Sequence, residues 1–359
     1  MKPPRSFRPP PLAPSRILRT TPRQVGGGRE REELVALARE SIRQGSRSFA
    51  LASRLFDKAT REKAWLLYAW CRRCDDIADG QDHGGTLNLD EATAQRRIEA
   101  IRVLTRRALD GQPTAEEAFD ALGQVALEAG LTEEMTDDVI DGFALDAEGW
   151  RPRSEADLMR YAFHVAGSVG VMMARVMGIP ADDHDALDRA FDLGISFQLT
   201  NVARDVCEDD AAGRCYLPQE WLAEADIPPG EHMKPEFRAA LVALVDRLLD
   251  LADEHEGAAR WGANSLPFRK RWAVLAAANV HAALRHKIRE LGPHAWDRAV
   301  RVGFFAKLKL IWRAFGETFR SAPQPEPMPR WTRGELMAIA RMAGPIAPMP
   351  TTPLPDEVV

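Results

Sequence analysis

The feature that most restricts this chain is a polar stripe set into an otherwise apolar helix. In FQLTNVARDVCEDDAAGRCYLP (197–218), Gln198, Asn201, Asp205 and Asp209 recur at spacings of three and four, so a helix carries them on one face. Around them stand Phe191, Leu193, Ile195, Phe197, Leu199, Val202 and Val206, residues that belong in a core. Oxygen-bearing side chains between core positions cost free energy unless something partners them. The segment is therefore expected to be a helix whose acidic row meets a cation.

A second acidic stretch, CRRCDDIADG (71–80), also falls within a helical pattern. Asp75 and Asp79 lie one turn apart, while Asp76 is rotated by ~100° and is expected to be solvated or to stand behind the pair. Three aspartates on a helix are by themselves the mark of a solvated face. Two such ladders on different helices, facing across a cleft, are a different matter. Mg²⁺ prefers oxygen ligands, keeps some waters and is commonly held by carboxylates together with substrate phosphates. The expected metal ligands are Asp75, Asp79, Asn201, Asp205 and Asp209. Arg72 lies three residues before Asp75, Arg214 follows the second ladder, and Arg47 sits in GSRSF (45–49) with Ser46. Guanidinium groups match phosphate oxygens bidentately, although each arginine taken alone is more readily an ordinary surface ion-pair partner. Cys71-x-x-Cys74 invites a zinc reading. It lacks a second pair at suitable spacing, so helical packing of these cysteines is expected.

Apolar residues recur with helical spacing near 31–45, 63–79, 90–110, 114–129, 132–148, 154–177, 183–210, 234–261, 267–291, 294–320 and 331–343, punctuated by Pro and Gly. No segment alternates as a strand would. The expectation is an all-α, single-domain helical bundle over 29–343. Residues 1–28 carry six basic residues and no acidic one before Arg29 and read as a disordered tail; the Pro-rich 344–359 reads as another. Within YAFHVAGSVGVMMARVMG (161–178), Ala166, Gly167, Ser168 and Gly170 suit either close helix approach or a cavity for a long apolar ligand. Tyr161 suits either the core or a ring facing a carbocation.

A net charge of −5 over 359 residues gives no case for nucleic-acid binding, and four cysteines make no disulfide scaffold. A reducing cytoplasm is expected. No apolar run reaches the ~18–20 residues of a spanning helix, and the N-terminus lacks the apolar core of a signal peptide. RVGFFAKLKLIWRAFGETFR (301–320) mixes aromatic and basic residues. It reads as a core helix with a basic face or as a membrane-surface helix, so peripheral contact with the inner membrane stays open.

GSRSF (45–49), YAWCRRCDDIAD (68–79), YAFHVAGSVG (161–170) and QLTNVARDVCEDDAAGRCYLP (198–218) together resemble the squalene/phytoene synthases, most closely the bacterial phytoene-forming members. The resemblance covers most of residues 35–315. It implies an all-α isoprenoid-synthase fold with a central apolar cavity, and Mg²⁺ or Mn²⁺ on the two aspartate motifs. It places Arg72, Tyr161 and Gln198 around the diphosphate and cation, with Ser46, Arg47 and Arg214 as further substrate-binding residues and Asp75, Asp79, Tyr161, Asp205 and Asp209 as the catalytic set. The implied reaction joins two geranylgeranyl diphosphates head to head to phytoene, through prephytoene diphosphate, with no need of NADPH. The product would pass to downstream carotenoid enzymes. Two alternatives stay open: a C15-using dehydrosqualene or squalene synthase, and a non-catalytic relative acting as an assembly factor. One departure stands out: members tend to carry a tyrosine where this chain has His281. Arg298 and Arg301 align ambiguously.

Overall fold

The computed structural model describes residues 24–80 and 93–343. The expected tails lie outside these residues except at their inner edge. There Val25–Gly28 forms a 3₁₀ turn, with Gly26 and Gly27 both at φ 65°. The Gln24 amide donates to the Gly111 carbonyl at 2.8 Å. The glycine run thus makes a left-handed turn that only glycine adopts without strain, and it is not the end of a loose tail.

Fourteen α-helices follow, and no strand occurs among the described residues. They are α1 (Arg31–Gly45), α2 (Arg47–Ala52), α3 (Lys58–Ala78), α4 (Ala94–Leu109), α5 (Glu117–Ala129), α6 (Glu133–Ala147) and α7 (Glu155–Ala162). Then come α8 (Ser168–Val176), α9 (His184–Ala211), α10 (Gln219–Glu224), α11 (Arg238–Gly262), α12 (Phe268–Leu291), α13 (Phe304–Glu317) and α14 (Arg333–Ala343). The starts of the two ladder helices are written locally. Asp57 caps α3 by accepting the Thr60 amide at 2.9 Å, and Asp183 caps α9 by accepting the Ala186 amide at 3.1 Å.

The core has two main parts. One packs α3 against α4 and α5 through Leu66, Leu67, Trp70, Ile101, Phe119 and Leu122. The other packs α9 against α11 through Ile195, Leu199, Leu241, Val245 and Leu248. Full burial of each such side chain contributes ~1.5–3 kcal/mol. Arg285 of α12 is fully buried behind α9. It donates to Asp253 at 2.7 Å, to Thr200 at 3.0 Å and to Ser196 at 3.3 Å, and it pairs with Glu256. These bonds engage the back of α9 and leave its acidic stripe to face the other way.

Two expected helices are interrupted. The 154–177 pattern opens into a π turn at Phe163–Gly167 between α7 and α8. Its neighbourhood explains the small residues: a Cβ on Gly170 would meet the Ala190 carbonyl oxygen at 2.4 Å, and one on Gly194 would meet the Ala166 oxygen at 2.3 Å. Close approach of α8 and α9 is therefore what glycine serves here, although Ala166 and Gly170 also border the cavity described below. The 294–320 pattern is helical only from Phe304. Before it, Ala299–Val302 crosses the edge of that cavity instead of coiling, with Val300 buried.

Candidate active site

The two acidic ladders end at one rim. Asp79 is the C-terminal cap of α3, and Asp209 lies in the last turn of α9, which ends at Ala211. A helix C-terminus carries the negative end of the macrodipole, so carboxylates gathered there are unfavourable without a cation. Arg214, just beyond α9, donates to Asp79 Oδ1 at 3.0 Å, which ties the second ladder's loop to the first ladder. Arg72 donates to Asp75 at 2.8 Å and reaches Asp76 at 2.6 Å. Asp76, off the line of the ladder, is therefore engaged by Arg72. Arg204 clamps Asp205 with both arms of its guanidinium, Nε at 2.6 Å.

Two of the carboxylates, Asp75 and Asp209, hold their protons more tightly than free ones do. Burial and then the neighbouring Asp79 push Asp75 upward. Burial and then Asp205 push Asp209 up to about 7. Mutual repulsion of this kind is relieved when a cation binds between the groups. Among the described residues no three His, Cys, Asp or Glu side chains converge closely enough to hold an ion alone. The two faces instead offer carboxylates singly and in pairs, a set that suits Mg²⁺ when phosphate oxygens complete its shell.

Asp146 of α6 is a member of this region that sequence reasoning missed. It accepts hydrogen bonds from the Tyr161 hydroxyl at 3.0 Å and the Tyr216 hydroxyl at 2.7 Å. Burial lifts it to about 6 against the opposing effect of those two donors, and its charge is felt alongside those of Arg214 and Asp79. Nothing in DGFALDAEGW (141–150) separates Asp146 from the other acids of that helix; only the fold brings it here. Tyr161 differs from the cation-facing expectation. It is buried, stacked on Tyr216 at 4.8 Å and on Trp150 at 5.7 Å, and it is not among the residues lining the cavity. Its hydroxyl holds Asp146, and its ring is spent on packing.

Below the rim lies a cavity of about 940 Å³, near the upper end for ligand pockets. Gln198, Asn201 and Asp205 reach its wall, and most of the rest is apolar, including Phe49, Phe56, Leu193, Met173 and Met177. Ser46 also lines it, while its hydroxyl accepts the Phe49 amide at 3.3 Å and caps α2. Arg47 opens α2, but its side chain lies outside the described residues. His281 lies on the wall, stacked on Phe197 at 3.6 Å. Its Nδ1 donates to the Ala277 carbonyl at 3.0 Å, and burial lowers its pKa to about 4, so the ring is neutral. The cysteines behave as packing groups: Cys74 is buried, and burial pushes the Cys71 thiol up to about 12.

Fold and site define a class: an all-helical bundle with a large, mostly apolar cavity beneath two acidic helix ends. The squalene/phytoene synthase family model matches residues 42–306. A phytoene synthase of Pseudescherichia vulneris is 41% identical over 300 residues, which are 82% of this chain and 96% of that protein. A 15-cis-phytoene synthase of Pantoea ananas is 39% identical over 298 residues, again 82% and 96%. Among solved structures, a dehydrosqualene synthase superposes with a TM-score of 0.70 at 24% identity, covering 80% of this chain and 96% of that one. The squalene synthase HpnC from Alicyclobacillus acidocaldarius gives 0.63 at 20% identity, covering 75% and 98%. The chain belongs to the squalene/phytoene synthase family.

Proposed function

We infer that this chain forms phytoene, as a prenyltransferase of carotenoid biosynthesis, by joining two geranylgeranyl diphosphates head to head. Relatives at about 40% identity over most of the chain bear the phytoene synthase name. The observation that carries the reading is the Asp79–Arg214 contact, which closes two acidic helix ends over an apolar cavity.

Asp75, Asp79, Asn201, Asp205 and Asp209 would hold Mg²⁺ or Mn²⁺. The bound cation supplies charge neutralisation for the departing diphosphate. Arg214 and Arg72 are free to exchange their carboxylate partners for phosphate oxygens, and Gln198 and Asn201 orient the head group from the wall. Ionisation of one substrate leaves an allylic cation, which the acceptor's double bond attacks; loss of one proton closes the cyclopropane of prephytoene diphosphate. A second ionisation, ring rearrangement and loss of a second proton give phytoene. No electron pair is needed from a nicotinamide. The apolar wall excludes water that would trap either cation. Asp146, fixed by Tyr161 and Tyr216, holds negative charge behind Arg214.

Among the described residues no helix is long and apolar enough to cross a membrane. A C40 hydrocarbon has nowhere to go in water, so the enzyme works against a lipid surface, where a following carotenoid enzyme would take up the product. The decisive experiment is product analysis with C15 and C20 diphosphates, with and without NADPH and divalent metal. Phytoene from the C20 substrate, dependent on metal and indifferent to NADPH, is expected. Exclusive use of the C15 substrate would overturn the chain-length assignment, and no product from either would overturn the enzymatic one.

A further inference from the structure

Helix α13 presents three faces. Leu310, Ala314 and Thr318 turn inward, with Ala314 and Thr318 buried. Phe304, Leu308, Trp312 and Phe315 follow at i, i+4, i+8 and i+11, within an arc of about 80° on a helical projection, with Phe305 at its edge and Phe319 in the turn just past the helix end. This arc points away from the core: Phe304 is 64% exposed, Phe305 83%, Trp312 62% and Phe319 70%. Towards its C-terminal end the rings form one connected layer, while Phe304 and Phe305 meet each other at 5.7 Å near its start. Phe315 meets Trp312 at 5.9 Å and Phe319 at 5.4 Å, and Phe268 from the start of α12 joins at 5.6 Å. Beyond the arc lies a basic strip of Lys309, Arg313 and Arg320. The one acid of the segment, Glu317, is taken up by Arg260, Asn279 and Arg313. Scattered exposed apolar residues need no explanation, but a contiguous aromatic patch beside a one-sign charged strip does.

The same helix borders the cavity. Ile311, between the inward face and the aromatic arc, and Lys307 on the inward face line it together with Val300, Arg301 and Val302 from the crossing segment. A hydrocarbon that leaves between α13 and this segment emerges onto the aromatic layer.

We propose that α13 is the membrane-seating element: it lies in the surface of an anionic bilayer with its aromatic arc among the acyl chains, and the hydrocarbon product passes along it from cavity to lipid. Charge decides the occupant. A strip of cations with no free acid complements anionic head groups, and aromatic residues on the other face are the side chains that settle at the interface. A second copy of this chain would set the same cationic strip against its like wherever two such faces met in antiparallel register. The inference builds on the lipid surface proposed above, so the experiment reads membrane binding and chemistry separately.

Full-length protein is sedimented with vesicles of phosphatidylglycerol and phosphatidylethanolamine, and with vesicles of phosphatidylcholine alone. Partitioning is expected to be at least ~10-fold stronger on the anionic vesicles and to fall at least ~10-fold in the double variant Phe305→Glu/Trp312→Glu. Diphosphate release by that variant in detergent micelles should stay within ~2-fold of the parent, since neither side chain touches the cavity. A Trp312→Phe variant should bind vesicles normally yet lose part of the tryptophan quenching caused by brominated lipid. Three results would overturn the proposal: a parent protein that stays in the soluble fraction with both vesicle types, a double variant that binds as well as the parent, or a concentration-dependent dimer that the double variant abolishes while vesicle binding is absent.

Discussion

The two acidic ladders look alike in sequence and are held differently in the fold. The first, at the end of α3, is restrained from both sides: Arg72 of its own helix holds Asp75 and Asp76, and Arg214 from the far loop holds Asp79. The second, at the end of α9, has Arg204 on Asp205, while Asp209 is half-buried beside that carboxylate and rises to about 7. One ladder is thus braced and the other left wanting a cation. The difference teaches that the two are not interchangeable halves of a clamp. The loop of the second braces the first, so an ion entering at Asp209 also bears on Arg214 and, through it, on Asp79.

The largest effect should come from removing either side of the clamp. Asp75→Asn and Asp205→Asn are each expected to cut metal-dependent turnover by about 10²–10³-fold, with helical circular dichroism unchanged. If only one of them does so, the clamp has one working jaw. Next comes the brace. Arg214→Ala should lower kcat/KM by about 10–100-fold, mostly through KM, whereas Arg204→Ala should do less. As a surface-facing ion pair, Arg214–Asp79 contributes about 1 kcal/mol or less to stability, so melting should barely move and the loss can be read as function. Metal affinity is then predicted to climb with pH through about 7, where Asp209 loses the proton that competes with the cation. Mn²⁺ titration of Asp209→Asn should lose that rise; if the rise persists, another group is responsible.

The smallest effect concerns Asp146. Its folded pKa of about 6 lies above the usual carboxylate value, so the folded state binds more proton than the unfolded state between about pH 4 and 6. Stability must therefore fall as pH rises through that window, by at most ~3 kcal/mol for a shift of about two units. Denaturation in chelator should show the decline in the parent, and Asp146→Asn, which keeps an acceptor for one tyrosine, should remove Asp146's share while the share of Asp209 persists.

Much of this was legible beforehand because helical repeats are local. One-turn spacing placed Asp75 over Asp79 and lined up Asn201, Asp205 and Asp209. What resisted reading depends on contacts between distant segments. Asp146 is one acid among several on α6 until Tyr161 and Tyr216 turn toward it. Tyr161 lies within a motif that suggested a cation-facing ring, but stacking on Trp150 and Tyr216 turns it to packing. The 294–320 pattern keeps helical periodicity throughout, yet Ala299–Val302 is drawn across the cavity edge, a tertiary demand that no local preference registers.

The glycines between α8 and α9 have a bearing on how such an enzyme could change its substrate. With Gly170 and Gly194 set against backbone oxygens, the separation of two helices that flank the cavity has reached its floor. A single methyl at either place must wedge the pair apart, altering the bore well beyond the spot where that glycine meets the cavity wall. Chain-length preference in this scaffold can therefore drift through the spacing of two helices, by a change of calibre more than of surface.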